Sequence, residues 1–519
     1  MAVTNGHEPR WATARIFGDA LVRLLVASAA AKSKLFEGAT IIAYESKSEA
    51  IRVVRDGHLL VTDDRIAAIF ESTPSNGTLP NDTERIDVTG QIITPGFIDT
   101  HRHGWQTAYK TIGSNTTLAE YVGRYGEFAA ASHWTAEDVY ISQLAGLYEA
   151  LNAGVTTSLD HAHHTWSNET AYAGLNASIE SGARVIWAYT VHALETVDFP
   201  LSEQLANLRE IAQNTELLAS SPTELGISFD SWSGGDTETI KELVAIAKEF
   251  NVSAITTHSV NGPFAFTNVP SAVHKYDMLN TSIPVVFSHG SFLAASEGEL
   301  LRQTNQYLSI TPESEMHYGH THEQSFHLND QAALGVDTHF TFSTDILTQA
   351  RIWLQQVRYF YFSRVAELWD QPVTNPMSVS QAFKLATRHG GLALRRPDLG
   401  VIEEGAKADL VIWNAAESPA LLGWTDPVAA VMLHASVADI LHVTIDGNFV
   451  KRDGRLTADS YYKDVRPRFL RTARRIQDIW RDMPYPELSG PNFAGFEQVP
   501  TRQVDAQRGN GTGYGELYV

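Results

Sequence analysis

The chain of 519 residues is long enough for one large domain and a satellite domain, and its 43% hydrophobic and 19% charged residues are typical of a globular protein. Its formal net charge of −21 disfavours nucleic acids and anionic membranes as partners. The chain has no cysteine, which excludes disulfides, thiolate zinc sites, a cysteine nucleophile and the zinc deaminases built on a PCxxC motif.

Residues 1–34 are predicted to form an amino-terminal helical extension. The stretch DALVRLLVASAAAKS (19–33) contains an apolar run like that of a signal peptide, but Asp19 and Arg23 interrupt it. We therefore expect an amphipathic helix and a cytoplasmic protein, with secretion as the alternative. No stretch of the sequence is long and apolar enough to span a bilayer.

Strand patterns near both ends of the chain predict one small β domain. The segment 39–70 alternates apolar and polar residues around a DG turn, and LGVIEEGAKADLVIWN (399–414) and ILHVTIDGNFVKRDGRL (440–456) have the same character. We predict a composite β-sandwich from residues 35–94 and 396–460. A carboxyl-terminal helix and arm would follow over residues 461–519.

Between these segments, residues 95–395 alternate short apolar strands with amphipathic helices. Eight such strands fit an α/β fold of the (β/α)8 TIM-like barrel type. The eight predicted strand segments are, in chain order, IITPGFIDTH (92–101), GVTTSLD (154–160), ARVIWAY (183–189), LGISFD (225–230), VSAITTH (252–258), IPVVFSH (283–289), YLSITPE (307–313) and DTHFTFSTD (337–345).

Histidine and aspartate fall at the carboxyl ends of several predicted strands, where such barrels place their active sites. His101 ends the first strand and His103 follows it, His258 and His289 end the fifth and sixth, and Asp345 ends the eighth. Residues i and i+2 of a strand point the same way, so both paired histidines would face the barrel mouth. Histidines with a carboxylate suit one divalent metal ion, with zinc favoured over iron.

The motifs TPGFIDTHRHG, THS, SHG, FSTD and GVIEEGAKADLVIW together resemble the amidohydrolase superfamily. The resemblance is to the branch of atrazine chlorohydrolase, guanine deaminase and methylthioadenosine/S-adenosylhomocysteine deaminase, and it covers about residues 35–460. It implies a distorted barrel with a small β-sandwich, a mononuclear metal site and a homo-oligomer, with a dimer favoured. It implies His101, His103, His258 and Asp345 as ligands, and His289 beside the metal water. The fourth strand, GISFD, has no lysine, so the carbamylated-lysine bridge of binuclear members is not expected.

One departure from this branch concerns the proton donor. The branch has a glutamate three residues after the histidine of the fifth strand, whereas Asn261 stands there in this chain. An amide cannot act as a general acid or base. Glu313 and Glu315, just past the seventh strand, are the candidates to replace it, and Asp345 alone is the alternative. Surface carboxylates in a loop are the competing interpretation of both glutamates.

Other polar and aromatic residues near the strand ends are candidates for substrate contact, with ordinary packing or surface positions as the alternative. These candidates are Trp105, Gln106, His161, Asn261, His317 and His320.

The expected activity is metal-assisted hydrolysis of a carbon–nitrogen bond in a small heterocycle, by deamination or by opening of a ring amide or amidine. Asp345 would take a proton from water, His289 would stabilise developing charge, and Glu315 would protonate the leaving amine. The alternatives are decarboxylation, dehalogenation or lactam or lactone opening at the same site, and a non-catalytic scaffold. A small-molecule partner is expected, without nucleic acid or membrane.

Overall fold

A computed structural model of the protein describes residues 33–264 and 266–486, together with two short strands near the carboxyl terminus. The amino-terminal helix expected over residues 1–34 and most of the expected arm lie outside the described residues. Among the described helices, none combines the length and the apolar character needed to cross a membrane.

The described strands belong to two large sheets and one isolated hairpin. In chain order they are β1 (Ser33–Glu45), β2 (Ala50–Thr62), β3 (Arg65–Phe70), β4 (Glu84–Asp87), β5 (Ile92–Pro95), β6 (Phe97–Arg102), β7 (Val155–Ala162), β8 (Arg184–Thr190), β9 (Glu224–Ser228), β10 (Ile255–Val260), β11 (Phe266–Thr267), β12 (Val285–Ser291), β13 (Tyr307–Ile310), β14 (Ala332–Leu334), β15 (Leu410–Trp413), β16 (Ile440–Ile445), β17 (Asn448–Arg452), β18 (Arg455–Leu456), β19 (Asn492–Phe493) and β20 (Phe496–Glu497).

The described α-helices lie mainly between the parallel strands from β6 to β14 and after them. They are α1 (Leu118–Arg124), α2 (Glu127–Ala130), α3 (Ala136–Asn152), α4 (Asn168–Ser181), α5 (Leu201–Gln213), α6 (Thr215–Leu218), α7 (Thr237–Phe250), α8 (Pro270–His274), α9 (Ala295–Thr304), α10 (Pro312–Tyr318), α11 (Ile346–Glu367), α12 (Val379–Ala386), α13 (Arg388–Ala393), α14 (Pro427–Ala429) and α15 (Arg466–Asp482).

Eight parallel strands form a nearly closed barrel. They follow one another in the order β6, β7, β8, β9, β10, β12, β13 and β14, and β11 adds a short antiparallel pairing to β10. The barrel closes between its last and first strands, because the backbone N–H groups of Val336 and Asp337 donate to the carbonyl oxygen of His101 at 3.0 and 2.8 Å. The predicted α/β barrel is confirmed.

The second large sheet is mixed and combines strands from both parts of the chain that flank the barrel. Its order is β18, β17, β16, β15, β5, β1, β2 and β3, with β4 beside β1. Gly96 separates β5 of this sheet from β6 of the barrel, and a Cβ atom at this position would lie 2.1 Å from Oγ1 of Thr156. Only glycine therefore allows the chain to pass this closely from one sheet to the other.

The helices around the barrel begin at polar residues that bind their free backbone N–H groups. Thr135 and Asp138 form a reciprocal capping box at the start of α3, and Ser167 and Thr170 form another at α4. Helix α3 is then buried on all sides over Ile141 to Tyr148, and Leu144 is fully buried. Capping thus fixes where these helices start, and packing on several sides holds α3 in place.

The eighth barrel strand differs from the prediction. The strand is Ala332–Leu334, whereas the predicted strand was 337–345. Two alanines and a leucine carry little strand propensity, while the alternating threonines and phenylalanines of 337–345 carry much. Residues 337–345 instead form the irregular connection that leads into α11. This difference changes which aspartate reaches the barrel mouth.

Candidate active site

Four histidines and one aspartate meet at the carboxyl ends of the barrel strands. His101 lies in β6, His103 directly after it, His258 in β10 and His289 in β12, and Asp337 follows β14. Four of the five side chains are almost fully buried, and that of His258 is 18% exposed. The barrel thus brings together ligand types that lie more than 230 residues apart in the chain.

The strand geometry of β6 separates Arg102 from the two histidines beside it. The guanidinium of Arg102 is fully buried, lies 3.2 Å from Oδ2 of Asp99 and donates to Oγ1 of Thr344 at 3.0 Å. The neighbouring His101 and His103 both face Asp337, as alternation along an extended strand requires.

The distances between the side-chain atoms fit a tetrahedral metal site. Nε2 of His101 and Nε2 of His103 lie 3.3 and 3.1 Å from Oδ1 of Asp337, and Nε2 of His258 lies 3.3 Å from Nε2 of His103. Ligand atoms about 2.0–2.1 Å from a zinc ion lie about 3.3 Å apart when the ion is tetrahedral. Nε2 of His101 is buried, and Oδ1 of Asp337 is the polar atom that faces it. These residues therefore fit one divalent metal ion.

His289 is the further member of this group. One ligand atom each from His101, His258, His289 and Asp337 lies within 4.8 Å of the others. The ring centroid of His289 is 5.2 Å from that of His101 and 4.9 Å from that of His320. His289 therefore stands between the metal-binding histidines and the wall that His320 contributes.

Each of these four imidazoles is oriented by a partner at its Nδ1 atom. An acceptor at Nδ1 fixes the ring tautomer and leaves Nε2 free to bind a cation. The partners are Oγ of Ser288 for His101 at 2.8 Å, the carbonyl oxygen of His161 for His103 at 2.9 Å, Oδ2 of Asp230 for His258 at 2.7 Å and Oγ1 of Thr311 for His289 at 2.8 Å.

The charges around the site favour a cation. Burial lowers the pKa of His101 well below its usual range and that of His289 to about 4, so both rings are neutral ligands. Although burial opposes it, Asp230 raises the pKa of His258 to about 9, and metal binding must therefore displace a proton from this ring. Although burial opposes it too, hydrogen bonds from His101 and His103 hold the pKa of Asp337 well below its usual range.

The backbone of β12 is irregular at His289 and Gly290, just before the strand ends at Ser291. His289 and Gly290 have φ values of 74° and 69°, and the pairing of β10 with β12 shifts register at this point. A left-handed conformation is costly for a histidine and persists where the surroundings enforce it, often at functional sites. This irregularity directs the imidazole toward the metal-binding group.

The structure corrects the aspartate expected in the metal site. Asp345 precedes α11, where Oδ1 accepts from the backbone N–H of Thr348 at 2.6 Å and Oδ2 accepts from Oγ1 of the same residue at 2.9 Å. Asp345 is therefore a helix cap, and Asp337 lies beside the histidines in its place. The error follows from the misplaced eighth strand, because Asp345 ends the predicted strand and Asp337 follows the observed one.

The two glutamates expected to deliver a proton both lie in α10. Oε2 of Glu313 accepts from Oγ of Ser343 at 2.7 Å and from Nε2 of Gln349 at 2.9 Å. Glu315 is fully buried behind His289, and its Oε1 accepts from the backbone N–H of Thr311 at 2.9 Å. Burial raises the pKa of Glu315 to about 7. Neither carboxyl group lines the cavity above the histidines.

A cavity of about 230 Å³ opens above the metal-binding group. Its walls are mainly apolar and aromatic side chains, with polar groups at the end where His103, His258 and Asp337 lie. Its wall also includes Tyr121, Glu127, Phe128, His163, His192, Asp230, Tyr318 and His320. Such a cavity admits a small and mostly uncharged molecule.

Of the six residues expected to contact substrate, His320 lines this cavity. The side chains of the other five contact other groups of the protein. Nε1 of Trp105 donates to Nδ1 of His163, the amide of Gln106 donates to Tyr121 and Tyr125, Nε2 of His161 lies 3.3 Å from Oδ2 of Asp230, the amide of Asn261 donates to the carbonyl oxygen of Ser291, and Nε2 of His317 lies 3.0 Å from the carbonyl oxygen of Thr116.

Three acidic residues at the site were not among the expected ones. Asp337 follows the apolar segment AALGV, and Asp230 ends LGISFD, so strand-end position is a signal for both. Glu127 lies in α2, in a helical stretch far from any strand end, and no pattern in the sequence singles it out. Strand-end position thus identifies acidic residues that follow strands. It does not identify one such as Glu127, which lies in a helix between strands.

The chain has relatives and structural neighbours among known proteins. The chain is 22% identical to 5-methylthioadenosine/S-adenosylhomocysteine deaminase of Caldicellulosiruptor saccharolyticus, over 81% of this chain and 94% of the relative. A zinc-bound adenosine deaminase from Xanthomonas campestris superposes with a TM-score of 0.72 at 15% identity, over 87% of this chain and 99% of that one. Atrazine chlorohydrolase from Arthrobacter aurescens, complexed with zinc, has a TM-score of 0.70 at 16% identity, over 85% and 100%. The solved structures show the barrel fold.

The family profile named Amidohydrolase family matches residues 92–450. This range contains all four histidines and Asp337, and it covers more than half of the chain. The protein therefore belongs to the amidohydrolase family, as its strand-end motifs indicated.

Proposed function

We propose that this protein is a metal-dependent aminohydrolase that removes an amino group from a small heterocycle of the aminopurine class. The observation that carries the proposal is the group of His101, His103, His258 and Asp337 at the floor of the cavity. The names of the relatives, which are deaminases of adenosine derivatives, support the substrate class.

His101, His103, His258 and Asp337 would hold the ion. A divalent cation held there would supply a nucleophile at neutral pH, because it would lower the pKa of a water molecule from about 15.7 to about 7. Asp337 is the nearest carboxylate to this point and would accept the proton that the water loses, the role expected of Asp345 from the sequence. His289 would stabilise negative charge that develops on the substrate.

The cavity volume limits the substrate to a small molecule. At about 230 Å³ the cavity lies below the range of about 300–1,000 Å³ that is usual for pockets of drug-sized ligands. His163 and His192 are buried in its wall, and burial lowers the pKa of both, so they would meet the substrate as neutral hydrogen-bonding groups. Tyr121 and Tyr318 offer aromatic faces to a planar ring.

Ammonia release tests the proposal. The purified protein would be assayed on 5′-methylthioadenosine, adenosine and guanine after elemental analysis of its metal content. We expect turnover that a chelator abolishes and added zinc restores, and that His101→Ala eliminates. His274→Ala, an exposed histidine on α8, is the matched control and should retain activity. Full activity of a metal-free preparation would contradict the proposal.

Displacement of chloride is the second candidate function. Asn261 occupies the place of the proton donor in the related branch, and chloride, unlike an amine, departs without a proton. Chloride release from a chlorinated heterocycle, without ammonia release from any amine in the panel, would favour this candidate.

A further inference from the structure

Hydrolysis of a carbon–nitrogen bond needs a group that gives a proton to the departing nitrogen. Asn261 cannot do this, and its side-chain amide is engaged by the carbonyl oxygen of Ser291 at 3.1 Å. Asn261 also does not line the cavity. The proton donor must therefore be sought among the carboxyl groups that reach the cavity from other elements.

Most carboxyl groups near the cavity are committed elsewhere. Glu313 and Glu315 do not line its wall. Asp337 and Asp230 do, but both are engaged by histidines: His101 and His103 lie against Asp337, and Oδ2 of Asp230 lies 2.7 Å from Nδ1 of His258. Asp337 is also the group assigned to the water proton, so neither carboxylate is free to meet the departing nitrogen.

Glu127 is the remaining acidic residue of the cavity wall. It begins helix α2 and is partly buried. Burial raises the pKa of Glu127, and the charge of Asp230 raises it further, while its own backbone N–H, His258 and His103 act in the opposite direction. The carboxyl group thus lines the cavity and is electrically coupled to two of the metal-binding histidines.

The segment that carries Glu127 is fixed from two sides. The backbone N–H of Gly126 donates to the carbonyl oxygen of Tyr121 at 2.9 Å, which joins the start of α2 to α1. The guanidinium of Arg124 donates to the carbonyl oxygens of Met483 and Pro484 at 2.6 and 2.7 Å, beyond the end of α15. A side chain on such an anchored turn keeps one position relative to a bound substrate.

We propose that Glu127 is the general acid of the reaction and replaces the glutamate that Asn261 displaces. The inference rests on the proposed aminohydrolase function. Water oxygen bonds to the substrate carbon and one water proton passes to Asp337. The carbon–nitrogen bond then breaks with its electron pair on nitrogen, which takes the proton of Glu127 and leaves as ammonia. Asp337 then loses its proton to solvent and Glu127 takes one up from solvent, which restores both groups.

The test compares two leaving groups in one enzyme. The wild type, Glu127→Gln and the exposed-residue control Glu216→Gln would be assayed on adenosine, which releases ammonia, and on 6-chloropurine riboside, which releases chloride. We expect Glu127→Gln to lower kcat for ammonia release by about 100-fold or more and kcat for chloride release by no more than about threefold, because chloride leaves unprotonated. Glu216→Gln should match the wild type on both substrates.

A second variant asks whether a shorter acid at the same position can take over. Glu127→Asp should release ammonia at least about tenfold faster than Glu127→Gln, and equal rates of the two variants would overturn the inference. Equal losses on both substrates would show that Glu127 only positions the substrate, and no loss on either would show that it is not used; both results overturn the inference while the proposed function stands. Absence of ammonia release by the wild-type enzyme from every amine would instead overturn the proposed function, and this inference with it.

Discussion

Two aspartates eight positions apart illustrate how much the role of a residue depends on its element. Asp337 lies 5% exposed against two imidazoles, with Oδ2 accepting from Oγ of Ser314 at 2.5 Å. Asp345 binds the first turn of a helix. Both carboxylates are hydrogen-bonded, but only the first is placed where a cation and a water molecule would meet.

Substitution of each aspartate by asparagine separates these roles. Asp337→Asn should lower kcat by about 1,000-fold and reduce the metal content, because it removes both a ligand and the proton acceptor. Asp345→Asn should leave kcat near that of the wild type, since asparagine also caps helices well. Steady-state kinetics and elemental analysis measure both effects, and Asp345→Ala should cost about 1 kcal/mol of stability at most. A larger loss of activity in Asp345→Asn than in Asp337→Asn would restore Asp345 to the site.

At the scale of elements, the barrel and the histidine ends of β6, β10 and β12 were predictable from the sequence. The segments predicted for these strands are rich in strand-forming residues and end in histidine, so pattern and chemistry agree. The eighth strand was not predictable, because three residues of low propensity form it through pairing with β13 and contact with β6. Tertiary packing, which the local sequence does not reveal, therefore determines that residues 332–334 form a strand.

Helix α15 supports the wall of the active site from outside the barrel. Trp480 is 1% exposed, its ring centroid lies 4.8 Å from that of Tyr109, and its Nε1 donates to the carbonyl oxygen of Arg124 at 2.7 Å. Arg124 donates in return to the carbonyl oxygen of Trp480. The carboxyl-terminal helix is thus bonded to the helix that precedes Glu127.

Trp480→Ala tests this support. We expect a loss of about 3–5 kcal/mol in the free energy of unfolding, from the lost packing and the cavity left behind. We also expect a lower kcat/KM in the folded fraction, since the segment of Glu127 loses its anchor. Urea denaturation and steady-state kinetics provide the two measurements. Leu470→Ala, at a 44% exposed position on the same helix, should change stability by no more than about 0.5 kcal/mol.

At the scale of the whole molecule, a buried ion-pair network joins the barrel to the mixed sheet. Arg184 of β8 lies 3.1 Å from Oδ2 of Asp409 and 2.7 Å from Oδ1 of Asp446, and Lys407 lies 2.8 Å from the same atom of Asp446. Burial raises the pKa of Asp409, which Arg184 opposes. The arginine therefore stabilises the charged form of the buried Asp409 where the barrel meets the mixed sheet.

Removal of this arginine should destabilise the protein in a pH-dependent way. Arg184→Met leaves Asp409 buried and unpaired, at a cost of about 3–5 kcal/mol near neutral pH. A carboxyl group whose folded-state pKa exceeds its unfolded value binds its proton more tightly when folded, so the cost falls as the pH falls. Urea denaturation of the variant and the wild type should show a smaller difference at about pH 5 than at about pH 8. An equal difference at both pH values would contradict this account.

The carboxylate of Asp230 links three strands of the barrel, β7, β9 and β10. It follows β9, its Oδ2 lies 3.3 Å from Nε2 of His161 in β7, and its Oδ1 accepts from the backbone N–H of His258 in β10 at 2.7 Å. Filling the metal position should therefore slow amide hydrogen exchange along β7 and β9, although neither strand would supply a ligand. In Asp230→Asn the metal should slow amide hydrogen exchange in β7 and β9 less than in the wild type, while exchange in β2 stays unchanged. A single carboxylate would then determine how many barrel strands metal binding stabilises.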